Sequence, residues 1–247
     1  MAADGILFIH AFPLDSTMWE PQIAEFSGTT KVVAVNLPGF GGAASAGDVM
    51  TMAAAADAAA RAAREAGIQR AVVVGLSMGG YVALALWRRH RDLVAGMVLA
   101  NTKAEADDAA AIERRKALAS RLLAEGNGFM VESPPPLLSE GAPAGLLARV
   151  KDIIASQPAT SIAAAALGMA ERPDSTPDLP GIDVPVVVVT GSKDTLIPPE
   201  ATKPLAEGIP NARYEVIEGV GHLSNLEAPA RFNEIVREVF ERARENR

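Results

Sequence analysis

The sequence predicts an α/β protein: a doubly wound, mostly parallel sheet of about six strands with a small helical cap. Three observations predict it. Short β-branched runs alternate with helical patterns. Several of those runs are apolar at consecutive positions, as strands covered on both faces are. The alternation breaks once, from about residue 103 to 180, where only helical stretches occur.

The strand candidates are Ile6–Ile9, Lys31–Val35, Ala71–Val74, Ala95–Ala100, Pro185–Thr190 and Arg213–Ile217. Thr51 to Glu65 is an Ala-rich helix with an N-cap at Thr51 and a stop at Gly67. Met78 to His90 is a second helix, and Pro229 to about Arg244 is a charged amphipathic one. The strandless stretch contains Ser133-Pro134-Pro135-Pro136 and ends in a loop-like run from Pro173 to Pro180. The chain therefore divides into a core, 1–102 and 181–247, and an insertion, 103–180. That insertion reads either as bulk or as a cover over the strand ends; the cap is the expectation carried forward.

Composition sets the outer limits. A chain of 247 residues that is 49% hydrophobic, with mean hydropathy +0.16, can bury a large core, which argues against disorder. The formal net charge of −7 makes a surface that repels phosphate backbones and anionic headgroups. Neither nucleic acid nor membrane is expected as a partner; a small-molecule substrate is. With no cysteine there is no disulfide. The amino end lacks a basic signal-like region, and no run approaches the roughly 20 apolar residues of a membrane span. The expectation is a soluble, cytoplasmic protein.

The sharpest local signal is Gly75-Leu76-Ser77-Met78-Gly79-Gly80, which follows Ala71-Val72-Val73-Val74 and opens a helix. A serine on a tight strand-to-helix turn has strained backbone angles, and glycine tolerates the crowding two residues either side. The helix start offers free N–H groups to a developing oxyanion. Ser77 is the expected nucleophile. A hydroxyl needs a base, and the chain has three histidines. His222, in the Gly-containing loop after the last strand, is the expected base. His90 sits among Arg88, Arg89 and Arg91 at a helix end and suits a solvated face. His10 is expected to brace the loop after the first strand. The base needs an acid to orient it. Asp194 follows a central apolar strand at its carboxyl end, where sites in open α/β sheets collect. Asp92, Asp107, Asp108 and Asp152 read as solvated, and Asp183 lies before its strand. The preceding strand ends in Asn101-Thr102, without a carboxylate. By position, the backbone N–H groups of Phe12 and Met78 are the expected oxyanion donors, Pro13 having none. Leu14, Met18, Leu196, Ile197 and Leu223 are expected to line an apolar substrate pocket.

Three segments carry a resemblance: His10-Ala-Phe-Pro-Leu-Asp-Ser-Thr-Met-Trp19, the Gly75–Gly80 elbow, and Gly221-His-Leu-Ser-Asn-Leu-Glu-Ala-Pro229. They resemble the α/β-hydrolase superfamily, and within it the group of 3-oxoadipate enol-lactonases and small bacterial carboxylesterases. The segment Asn36-Leu-Pro-Gly-Phe-Gly-Gly42 is similar to that family's D-x-P-G-x-G turn, with Asn in place of Asp. His10-Ala11 replaces the usual His-Gly, and the expectation is a sheet without the family's initial hairpin. The resemblance implies a Ser-His-Asp esterase or lactonase with a helical cap and no cofactor or metal. A dianionic lactone would want a cation aimed into the pocket. Arg114, Arg115, Lys116, Arg121, Arg149 and Lys151 are available, yet read equally well as solvated helix faces, so a neutral small ester is favoured. Rival readings are enol-lactone hydrolysis of a dicarboxylate, carbon–carbon bond hydrolysis, perhydrolysis or cyanohydrin lysis on the same residues, and a binding-only receptor.

Overall fold

The structure is a computed structural model and describes residues 2–245. Six strands form one sheet: β1 (Gly5–Ile9), β2 (Lys31–Val35), β3 (Ala71–Leu76), β4 (Val94–Ala100), β5 (Val186–Gly191) and β6 (Arg213–Ile217). Their order is β2-β1-β3-β4-β5-β6, and every pairing is parallel. The inner strands β1, β3, β4 and β5 are buried along their whole length, while the edge strands β2 and β6 are partly exposed. This is why the inner strands are apolar at consecutive positions.

The helices are α1 (Glu20–Phe26), α2 (Met52–Glu65), α3 (Met78–Arg89), α4 (Ala109–Glu125), α5 (Gly128–Glu132), α6 (Leu146–Ser156), α7 (Ala159–Ala170), α8 (Pro199–Gly208), α9 (Ser224–Glu227) and α10 (Pro229–Glu245). One face of the sheet is covered by α1 and α10, the other by α2 and α3, and α8 packs on β5 and β6. On the α10 side Trp19 bridges Phe8 and Phe232, with ring centroids 4.9 and 5.8 Å away. On the other side α2 turns Ala55, Ala56, Ala59, Ala60 and Ala63 inward, small side chains that let it lie close against α3. The Thr51 hydroxyl caps α2 by accepting from the Ala54 N–H, as its sequence predicts.

Between β4 and β5 lie α4 to α7 and a short 3-10 turn, Thr176–Gly181, with no strand. The four helices are not attached alike. α7 is nearly all buried and seats against the loop after β2: the Met50 N–H donates to Ala164 O at 3.0 Å. A Cβ on Gly168 would fall 1.7 Å from Met50 O, so no side chain fits there. α4 packs on α7 and buries only Ala119 and Leu122. Among the described residues no single helix is long and apolar enough to cross a membrane.

Candidate active site

Ser77, Asp194 and His222 all stand just past carboxyl ends of strands, after β3, β5 and β6 respectively. The first two lie on neighbouring sides of β4, and the loop after β1 closes the group at the topological switch between β1 and β3. Ser77 heads α3 with φ 57° and ψ −115°, a conformation that non-glycine residues adopt only when their surroundings enforce it. The surroundings here do. The Ser77 N–H donates to Ala100 O at 2.9 Å, and its carbonyl accepts from the Thr102 hydroxyl at 2.9 Å. A Cβ on Gly75 would lie 2.3 Å from Gly79 O, and one on Gly79 would lie 2.1 Å from Ile9 O. The glycines let β1, β3 and the first turn of α3 meet at one point.

The His222 Nδ1–H donates to Asp194 Oδ2 at 2.8 Å, with both side chains at most 1% exposed. Asp194 accepts three further bonds: from Asn101 Nδ2 at 2.9 Å, Leu196 N at 2.9 Å and Ile197 N at 3.0 Å. Burial pushes the Asp194 carboxyl up, but the His222, Ile197 and Asn101 bonds outweigh it and hold the group below its usual range. An ionised carboxylate only accepts, so it fixes Nδ1 as the protonated nitrogen of a neutral His222 and leaves Nε2 as the ring's free acceptor. Asn101, at φ 48°, also donates to Gly221 O at 3.3 Å and accepts from the Ser224 hydroxyl at 2.6 Å. It is a brace that the sequence reading passed over for lacking a carboxylate. The signal was its place at a strand end, where asparagine tolerates a left-handed backbone.

Glu227 is a second unforeseen brace. Its carboxylate accepts from Gly221 N at 2.9 Å, from Ser139 N at 3.2 Å and from the Ser139 hydroxyl. The Leu223 N–H in turn donates to Leu137 O at 3.0 Å. Both residues flanking His222 are thus tied to the insertion.

His10 is fully buried. Its Nδ1–H donates to Ala11 O at 3.0 Å, and Nε2 accepts from Leu37 N at 3.1 Å. Burial lowers its pKa from 6.5 to about 4, so it stays neutral and bonds the loop after β1 to the turn after β2. That is the bracing role expected of it. Asn36 adds a second tie, accepting from Ser16 N at 2.8 Å and donating to Gly41 O at 3.0 Å. An aspartate there could accept but not donate. His90 instead faces Asp57, with Nε2 at 2.7 Å from Oδ1.

A cleft of about 400 Å³ opens on this rim and is lined by both Ser77 and His222. Phe12, Leu196 and Ile197 line its core side; Leu118, Leu137 and Met169 of the insertion line the other. Neither the Phe12 nor the Met78 backbone N–H donates to any group among the described residues, and Met78 is the first helical residue, where no intrahelical acceptor exists. Leu14, Met18 and Leu223 do not line the cleft: each is fully buried in the core. The Met18 sulfur faces inward, where it accepts from Ala11 N at 3.2 Å. Asp107 is not solvated either. Its side chain is 3% exposed between Arg172 at 2.9 Å and Arg115 at 2.5 Å, and the Arg172 guanidinium lies 4.0 Å above the Tyr81 ring. A larger depression, about 510 Å³, lies at the opposite end of the sheet around Arg70, Trp87, Arg91 and Asp183, and no serine or histidine lines it. Chemically, the rim sets a serine hydroxyl and a carboxylate-backed imidazole on the lining of one cleft, and among the described residues no hydrogen bond joins the two.

A family model described as the alpha/beta hydrolase family matches residues 6–235. A pimeloyl-[acyl-carrier protein] methyl ester esterase of Neisseria meningitidis serogroup C is 31% identical, over 97% of this chain and 94% of that protein. Among solved structures, a thermophilic esterase from Thermogutta terrifontis, with malate bound, superposes with a TM-score of 0.93 at 39% identity, covering 97% of this chain and 90% of that one. The enol-lactonase from Burkholderia xenovorans gives a TM-score of 0.85 at 26% identity, covering 98% and 92%.

Proposed function

Because the chain belongs to the α/β-hydrolase family, we propose that it is a serine hydrolase that cleaves carboxylic esters or lactones through an acyl-enzyme. The observation that carries this reading is the shared cleft. A strained serine at a helix start and a histidine anchored on a buried carboxylate line the same 400 Å³ space. The relatives support it, since an esterase, a methyl ester esterase and an enol-lactonase share this chain's length and fold.

In this mechanism His222 Nε2 takes the proton of Ser77 as its oxygen attacks the ester carbonyl. The carbonyl oxygen becomes an oxyanion held by the Phe12 and Met78 N–H groups, at the positive end of α3. Asp194 stabilises the imidazolium that forms. His222 then protonates the leaving alkoxide, the C–O bond breaks, and the acyl group remains on Ser77. Water, deprotonated by the same imidazole, releases the acid and restores the hydroxyl. The insertion acts as a cap that supplies the far wall of the cleft.

The test is a pair of measurements on wild type and Ser77→Ala: turnover of p-nitrophenyl acetate, and covalent labelling by a fluorophosphonate. Wild type should hydrolyse the ester and take the label on Ser77, and the variant should do neither. Wild-type rates in Ser77→Ala would overturn the mechanism, and labelling without turnover would indicate a binding protein.

A further inference from the structure

We infer that the ester this cleft takes carries a free carboxylate remote from the bond that is cut, and that Arg114, with Lys103, receives it. The inference rests on the ester-hydrolase reading and names the substrate class for that same site.

Three of the four cations of α4 are already engaged. Lys116 pairs with Glu113 at 2.9 Å, and Arg121 pairs with Glu125 at 2.9 Å while stacking over Phe129. Arg115 is held by Asp107. Arg114 alone among them has no ion-pair or hydrogen-bond partner among the described residues, and it lines the cleft. Ala111, Arg114, Arg115 and Leu118 all line it, at spacings of three, four and seven. That spacing makes one stripe on a helix, so α4 turns this face to the cavity.

Lys103, from the loop after β4, also lines the cleft and is likewise without a partner among the described residues. Among the described residues the only carboxylate in the lining is Asp107, and it is already shared by Arg115 and Arg172. The uncompensated charge in the cleft is therefore positive, in a chain whose formal net charge is −7. A positive cleft in an acidic protein concentrates anions at that one place. The rest of the lining, Phe12, Leu118, Leu137, Met169, Leu196 and Ile197, is apolar. An occupant that suits both parts has an aliphatic stretch between an ester and a carboxylate. The neutral small ester favoured on sequence grounds would leave both cations unused.

The experiment compares kcat/KM for monomethyl adipate, which is anionic at neutral pH, with that for dimethyl adipate, which is not. A third substrate, 6-acetoxyhexanoate, puts the carboxylate on the alcohol side, so the arms show which side of the ester faces Arg114. Wild type should prefer one of the anionic esters by roughly tenfold or more, as expected for a charge-assisted bond in a partly open site. Raising the salt concentration should shrink the preference. Arg114→Ala should lower the anionic-to-neutral ratio about tenfold through KM, Arg114→Glu should lower it further, and Arg114→Lys should restore part of it. Arg121→Ala, on the same helix but turned to Glu125, should leave the ratio unchanged. Equal wild-type rates on all three esters, or a ratio that Arg114→Glu does not move, would overturn the inference.

Calorimetric binding of monomethyl adipate to Ser77→Ala separates this idea from the reading beneath it. If no ester is turned over, yet binding is seen and is lost in the Ser77→Ala/Arg114→Glu double variant, the hydrolase reading fails and the anion site stands. If esters are turned over but no such binding is found, the anion site fails and the hydrolase reading stands.

Discussion

The carboxyl rim of the sheet and α4 of the insertion face each other across one cleft, and they are held in different ways. On the rim, polar side chains are buried and multiply bonded: four donors converge on Asp194, and His10 and Asn101 each join two or more segments. On α4 two of the four cations, Lys116 and Arg121, sit near the surface, each paired within about a turn of helix, where such pairs contribute about 0.5 kcal/mol or less. Breaking a buried, charge-assisted bond costs several times more. The difference teaches where each property is kept. On the reading proposed above, the multiply bonded strand ends would fix the reaction geometry, whereas selectivity would sit on a helix face whose side chains can change at little cost to folding.

Four substitutions test that contrast, beginning with the largest expected effect. Asp194→Asn keeps the shape of the rim but offers His222 an amide where it needs a carboxylate. We expect kcat to fall on the order of 10⁴, by the serine-protease precedent. A fall of less than tenfold, measured on p-nitrophenyl acetate, would mean that the rim does not govern the chemistry.

Acid should expose the cost of His10. Its folded pKa, about 4, lies below the ordinary 6.5, so the unfolded chain binds the proton more readily. The stability of the neutral form is complete above pH 6.5 and is lost as pH falls towards 4. The full span corresponds to about 3 kcal/mol. Urea unfolding across this range should show the decline, and His10→Gln, which can still donate and accept, should flatten it. An identical slope in the variant would place the acid sensitivity elsewhere.

Removing Asn101 should cost less. Asn101→Ala withdraws one of four donors from Asp194, and a hydrogen bond to a charged group is worth roughly 1.5–3 kcal/mol. We expect kcat to fall about tenfold or somewhat more. Lowered melting temperature with unchanged kcat would make it a folding residue only. The smallest effect belongs to Glu227→Ala, which unties the His222 loop from Ser139. A severalfold loss in kcat is expected, roughly that of one partly exposed charge-assisted bond. Wild-type kcat would show that the rim and the insertion act independently.

The same contrast explains what could be read from the sequence. The four inner strands were legible because buried parallel strands leave unbroken apolar runs, the edge strands β2 and β6 from shorter β-branched stretches, and Gly75 and Gly79 marked the elbow by the crowding they relieve. The convergence of Asp194 and His222 followed from their places at strand ends. Errors arose where position along the chain was taken for position in space. Leu14, Met18 and Leu223 neighbour site residues in sequence, but their side chains point into the core. Asp107 looked solvated among charges, because its partner Arg172 comes from the far end of the insertion. Which α4 cation stays unpaired also depends on the packed helix, not on the composition of the run.

The seat of α7 bears on how this protein could be remodelled. By chain order α7 belongs with 103–180, yet it shares a seam with the loop after β2 so close that Gly168 has no room for a methyl group. Gln157, just before it, accepts from Gly41 N and donates to Asp15, extending the seam along the same loop and on to the loop after β1. Exchanging the whole stretch for that of a relative would strip a wall from the core along with the cover. A graft confined to 109–156 that retains Leu137 and Ser139, which hold the His222 loop, would change the roof of the cleft and leave its foundations in place.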